Sequence, residues 1–285
     1  MRPQVKGALY LALAMLAFAT MSALTKIASS EVPFTEAAFF RGVVGLPVIA
    51  LLAWRRKVSL KGTRKGLLLL RGVVGTVSVL LLFFAVSRIP VADSMLLNQM
   101  APIFVLPMAA LALRERITAL HAFLVLMALA GAALVLRPNL DVVNVPGLAA
   151  LSSALFAAVA YVTVRKLAGE SSLTVVFWFT AISTLICLPL MLPFFVWPGP
   201  RSLAALIGMA CMATFGQLLL TRAYRHGEAG RLAVIGSTSA IYGAVFDFAI
   251  WGHVPVCETV VGGVLVIAAC SAIQMMKGRA QGSGE

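Results

Sequence analysis

A few polar side chains stand inside the long apolar stretches of this 285-residue chain, and any chemistry must begin with them. Arg41 is the sharpest case. A guanidinium cannot shed its charge, so within an apolar span it needs a carboxylate, backbone carbonyls, water or an anionic group on a solute. Asp247 is its natural complement. Gly236, Ser239, Gly243 and Asp247 follow spacings of three, four and four, which puts them on one stripe of a helix. The same glycines would serve as a small-residue seam between helices, and Asp247 would also suit a rim in contact with water. Arg41 and Asp247 are expected roughly 10 Å and 7 Å from one membrane face, at about 1.5 Å rise per residue. Two arrangements follow: a direct ion pair, or a zwitterionic solute with its carboxylate on Arg41 and its ammonium on Asp247. Arg71, about 8 Å from the opposite face by the same rise, is expected to snorkel to water.

Asn98 and Gln99 form a second candidate cluster. Pro102 has no N–H to return to the carbonyl of Asn98, so a free backbone acceptor should lie beside two side-chain amides. Together they could hydrogen-bond a polar solute, or they could simply join helices across a structural kink. Tyr161, Phe177, Trp178 and Tyr242 are candidates for a cavity wall, with Gln217 as a polar contact. Packing or an interfacial belt is the plainer role for any one of them. The substrate-binding candidates are therefore Arg41, Asn98, Gln99, Tyr161, Trp178, Gln217, Ser239, Tyr242 and Asp247.

Other chemistries find no support. His121, His226 and His253 are scattered, and the four cysteines (Cys187, Cys211, Cys257, Cys270) show no metal-ligand spacing, so neither a metal nor a cofactor is expected. No nucleophile–base pair or carboxylate pair shares a helix, which disfavours an integral-membrane enzyme. The glycines do not form a phosphate-binding loop with Lys and Ser/Thr. Movement of a solute would then draw on a gradient or on exchange, and Asp247 and Glu36 are the candidates for carrying a proton.

The elements that must position these residues are membrane-length helices. Hydrophobic residues make up 61% of the chain, and the apolar stretches match a hydrocarbon core of about 30 Å. Ten spans are expected, at 7–28, 34–54, 66–87, 91–113, 118–137, 146–166, 173–196, 202–224, 230–251 and 256–276. The first is read as retained, because its apolar run exceeds the core of a signal peptide. The net charge of +13 would suggest nucleic acid in a soluble protein, but no polar stretch here could form such a domain. It follows topology instead. Seventeen Lys and Arg fall in loops and ends on one side and four (Lys26, Arg88, Arg137, Arg201) on the other, which places both termini in the cytoplasm. The chain also repeats: shifted by 140 positions, Gly7, Leu11, Ala14, Lys26 and Ala28 meet Gly147, Leu151, Ala154, Lys166 and Ala168. Five spans are an odd number, so the second copy enters from the opposite face and the halves form an inverted pair.

The match between halves sharpens in the fourth and ninth spans. Ala85-Val-Ser-Arg-Ile-Pro-Val-Ala-Asp-Ser, running on through Asn98-Gln-Met-Ala-Pro102 to Leu113-Arg-Glu115-Arg-Ile-Thr, resembles the drug/metabolite transporter superfamily. Specifically it resembles the bacterial ten-helix branch built from two EamA domains. The second copy departs from the pattern, with His253 where Glu115 sits and Ala240 where Pro102 sits. The resemblance implies an all-α integral membrane protein of the bacterial inner membrane. Its repeats would occupy 7–137 and 146–276, with a cytoplasmic tail at 277–285. It also implies a secondary transporter, an exporter or exchanger, moving a small polar organic metabolite such as an amino acid by alternating access. Proton or counter-solute coupling is open, as is a flippase acting on a lipid-linked cargo. The sequence sets no oligomeric state.

Overall fold

The computed structural model describes residues 3–105, 108, 119–136, 144–167, 169–226, 235–236 and 238–282. Glu115 and Arg137, used above for pattern and topology, lie outside them. The helices are α1 (Pro3–Ala28), α2 (Phe34–Arg55), α3 (Lys65–Val86), α4 (Val91–Asn98), α5 (Ala119–Leu136), α6 (Val145–Lys166), α7 (Ser172–Met191), α8 (Pro200–His226), α9 (Thr238–Trp251) and α10 (Cys257–Gly282). No strand occurs among the described residues. Prolines set several starts: Pro33 and Pro90 precede α2 and α4 in extended backbone, the conformation that lets a helix begin on the next residue.

Seven of the described helices are long and apolar enough to cross a membrane: α1, α2, α3, α5, α6, α7 and α8. The apolar part of α10, Cys257–Ile273, is shorter. The expected fourth span is not one continuous helix. It stops at Asn98, turns at Gln99 and Met100, and is helical again over 101–105. Pro102 explains the break, because its ring crowds the carbonyl of Asn98 and it has no N–H to bond it.

The largest packing surfaces join α1 to α8, α3 to α6, α5 to α10 and α2 to α7. Smaller ones join α3 to α7, α2 to α8, α1 to α9, α4 to α6 and α4 to α9. Large apolar side chains such as Leu9, Leu13, Leu51, Leu70, Phe123, Leu126 and Val264 face outward, as a lipid-solvated surface requires. The tightest helix crossing is α5 on α10. A Cβ at Gly131 would lie 2.6 Å from the carbonyl oxygen of Gly262, and one at Gly262 would lie 2.5 Å from that of Gly131. Backbone cannot step aside as a side-chain tip can. Gly262→Ala is therefore expected to destabilise the fold by about 1–3 kcal/mol, measured by chemical denaturation in detergent.

Candidate functional site

The break in the fourth helix is tied to its surroundings residue by residue. Asn98 Nδ2 donates to Ser153 Oγ on α6 at 2.7 Å, and Ser153 Oγ donates to the carbonyl of Ala150. Gln99 Nε2 donates to the carbonyl of Gly236 and, at 3.0 Å, to Ser239 Oγ. The Cys270 thiol donates to the Gln99 carbonyl at 3.3 Å, supplying a partner at the turn. The predicted stripe thus meets α4 and the turn after it through the Gly236 carbonyl, Ser239 and Gly243. Gly243 is the point of closest approach, since a Cβ there would lie 3.2 Å from the backbone N and Cα of Ala92.

One turn further on, Asp247 closes the N-terminus of α4. Its Oδ1 accepts from Val91 N–H at 3.1 Å and its Oδ2 from Ala92 N–H at 2.8 Å. These are orphan donors at a helix start, where the dipole also favours a carboxylate. Lys26 Nζ lies 3.8 Å from Asp247 Oδ1, donates to the carbonyl of Ile89 at 2.9 Å, and sits 4.9 Å from the centre of the Trp251 ring. Asp247 is only 2% exposed, so it is not a rim residue. Among the described residues its polar partners come from α1 and α4. The pairing envisaged for Arg41 and Asp247 is therefore not built: Lys26 and two amides occupy the carboxylate.

Arg41 belongs to a different cluster. It lines a small internal cavity of about 10 Å³, room for one water molecule, together with Ile49, Phe179, Thr180, Thr214 and Gln217. The central carbon of its guanidinium stands 5.1 Å from the centre of the Phe179 ring. Arg71 stands over the same ring at 4.4 Å. Arg71 does not snorkel. Its guanidinium folds over Gly75, one turn further into α3, where a Cβ would collide with Nη1. Arg41 Nε and Arg71 Nε and Nη1 are buried without a hydrogen-bond partner. Tyr161 on α6 is within electrostatic reach of Arg71.

Two loop straps close the bundle over this region. On one side the α2–α3 loop is fastened to the start of α7. Thr63 N–H and Arg64 N–H donate to Glu170 Oε1 at 2.6 and 2.9 Å, Thr174 Oγ1 donates to the Ser59 carbonyl, and Trp178 Nε1 donates to the Leu60 carbonyl at 2.9 Å. Trp178 is thus part of a strap, not of the cavity wall. On the other side the α7–α8 loop is fastened to the start of α2. Val196 N–H donates to Glu36 Oε2 and Gly199 N–H to Glu31 Oε2, each at 3.2 Å. Glu36 is fully buried, with its other oxygen unpartnered.

The hydrogen bonds from Thr63 and Arg64 hold the Glu170 carboxyl below the ordinary glutamate range. A lowered folded value means its contribution is complete above the unfolded value, near 4.3, and is lost as pH falls through the folded one. Amide protection over residues 59–64, corrected for the intrinsic pH dependence of exchange, should accordingly fall at acid pH, with no such step in a Glu170→Gln control.

The candidate residues are distributed over several clusters. Arg41 and Gln217 share the cavity, with Tyr161 near Arg71. Asn98, Gln99 and Ser239 join α4, α6 and α9, and partly buried Tyr242 packs against the same core. The sequence reading missed Arg71, Phe179 and Lys26 as site residues. The glycine one turn after Arg71 was the available signal that its side chain had room to turn inward. Gln99→Ala is expected to slow transport about tenfold while costing only about 1 kcal/mol of stability, since it removes two hydrogen bonds at a turn but strands no charge. Equal loss of folded protein and transport would make Gln99 purely structural.

Comparison with known proteins adds an independent finding. The sequence pattern described as the EamA-like transporter family matches residues 5–137 and again 146–275. The pseudopaline exporter CntI of Pseudomonas aeruginosa (strain UCBPP-PA14) is 36% identical over 95% of this chain and 96% of its own. The riboflavin transporter of Vibrio cholerae is 26% identical over 92% of this chain and 91% of its own. A solved crystal structure, 20% identical, superimposes with a TM-score of 0.67 over 98% of this chain and 99% of the other.

Proposed function

Since the chain belongs to the EamA-like transporter family, within the drug/metabolite transporter superfamily, we propose that it is a secondary carrier working by alternating access. It is an integral membrane protein and a small-molecule transporter rather than an enzyme. The finer reading is ten spanning helices in two inverted five-helix halves, with both termini in the cytoplasm of a bacterial cell. The packing pattern supports it. Replacing each helix by its counterpart five places along exchanges α1–α8 with α6–α3, α2–α8 with α7–α3, and α1–α9 with α6–α4. It leaves α2–α7, α4–α9 and α5–α10 unchanged. The straps exchange as well, the loop after α2 on the start of α7 for the loop after α7 on the start of α2. A carrier needs this equivalence, because the same packing must open first to one face and then to the other.

The observation that carries the reading is the cavity, which both halves line: Arg41 and Ile49 from the first, Phe179, Thr180, Thr214 and Gln217 from the second. A strap is fastened on each side of the bundle, and the cavity of about 10 Å³ has to widen before it can hold an organic solute. The cargo is a small polar organic metabolite, and export is the direction suggested by the 36% identical pseudopaline exporter. A gradient or exchange supplies the energy. The test is untargeted metabolite profiling of cells and medium with and without the protein. One or a few polar solutes should leave the cells; altered lipid asymmetry with unchanged solutes would instead identify a flippase.

A further inference from the structure

Arg41 and Arg71 present an imbalance that the protein does not resolve. Each lies about two turns from the start of its own helix, and consecutive spanning helices run in opposite directions. The two side chains therefore come from opposite faces of the membrane to a single ring. Their central carbons are at most about 10 Å apart, the sum of their distances to the Phe179 centre. Among the described residues neither has a carboxylate within ion-pair distance, and three of their nitrogens are buried with no acceptor. One aromatic face cannot neutralise two cations that also repel each other.

The direction of Arg71 matters most. Side chains on a helix lean toward its N-terminus, which for Arg71 is the nearer membrane face and the way to water. Arg71 does the reverse and lies over Gly75, deeper in the span. Solvation would have drawn it outward. Something in the interior has to compensate the charge, and the Thr180 and Thr214 hydroxyls beside Arg41 already donate to the Val176 and Ala210 carbonyls, so the arginines themselves carry the recognition.

We infer that Arg41 and Arg71 together form a binding site for a small dianion, with one guanidinium for each negative charge. Its ligand is an organic dicarboxylate or a phosphorylated solute, since guanidinium forks pair with the planar or tetrahedral oxygens of both. This rests on the carrier reading only in naming the dianion as cargo or counter-solute; the binding site itself stands without it. The space beside Arg41 has room for one water molecule only, so the dianion enters when the elements bearing the two arginines part from Phe179.

The experiment is thermal unfolding and equilibrium binding on the purified full chain in nanodiscs, with succinate, butyrate and inorganic phosphate as probes. Succinate carries two carboxylates and butyrate only one on a chain of the same length. Succinate or phosphate should raise the melting temperature, butyrate clearly less. Stabilisation by succinate identifies the dicarboxylate class, and by phosphate alone the phosphorylated class. Arg41→Gln and Arg71→Gln should each weaken the effective probe about tenfold or more. Without ligand both variants should melt no lower than the natural protein, because each removes an uncompensated buried charge. Gly75→Ala keeps both charges but displaces Arg71, and should weaken the same probe. Two results would overturn the site: neither dianion distinguishing the natural protein from both arginine variants, or both variants melting lower without ligand. Solute flux in proteoliposomes that is indifferent to Arg71→Gln would sink the dianion site as cargo site and leave the carrier intact. Dianion binding without any solute flux would do the opposite.

Discussion

Asp247→Ala should be the most damaging single substitution for stability, costing about 3–5 kcal/mol. The carboxylate serves three partners at once: the Lys26 ammonium and the first two amides of α4. Removing it leaves Lys26 with the Ile89 carbonyl, the Trp251 face and the electrostatic reach of Asp93, without the carboxylate in ion-pair distance. It also leaves two helix-terminal N–H groups with no acceptor in a region 2% exposed at Asp247 itself. Asp247→Asn should cost less, because the amide oxygen still accepts one hydrogen bond. Combining it with Lys26→Met should recover part of the loss, since the stranded cation is then gone. Urea denaturation of Asp247→Ala, Asp247→Asn, Lys26→Met and the double mutant measures the cycle. Strictly additive effects, or a fully stable Asp247→Ala protein, would show that neither the ion pair nor the cap holds α4 in place.

That prediction differs from what the residues alone suggested, and the difference is instructive. The stripe Gly236, Ser239, Gly243 and Asp247 could be read because helical spacing is an intrahelical property. Gly243 and Asp247 face α4, and Ser239 with the Gly236 carbonyl meets Gln99 just beyond its end. Which neighbour, and which charge, could not be read. Lys26 reads from the sequence as a repeat match and a basic residue near a membrane face, since nothing there brings α1 beside α9. Depth along a helix locates a Cα and says nothing of a side chain that folds back over a glycine, so the snorkelling expected of Arg71 does not occur. Among the aromatic run at 177–179, the ring that matters is Phe179, and only the rotation of α7 against α3 selects it. A Cβ at Gly75 would lie 2.9 Å from that ring, so the same glycine that admits Arg71 also seats Phe179. Seven of the expected spans, by contrast, were legible from composition; Pro102 signalled a freed carbonyl at Asn98 but not that the helix would stop there.

The second large effect concerns turnover. The loop strap at Thr63 and Glu170 closes one side of the bundle and the strap at Gly199 and Glu31 closes the other. Alternating access requires each to open in turn, so fastening either one should stop the cycle completely while leaving the protein folded. The four native cysteines would first be replaced, and then Thr63→Cys with Glu170→Cys, or Glu31→Cys with Gly199→Cys, joined by a short reducible crosslinker. Solute flux through proteoliposomes is the most direct measurement. Each crosslink alone should abolish flux, and reduction should restore it. Flux that continues with either strap covalently fastened would contradict alternating access between the two halves.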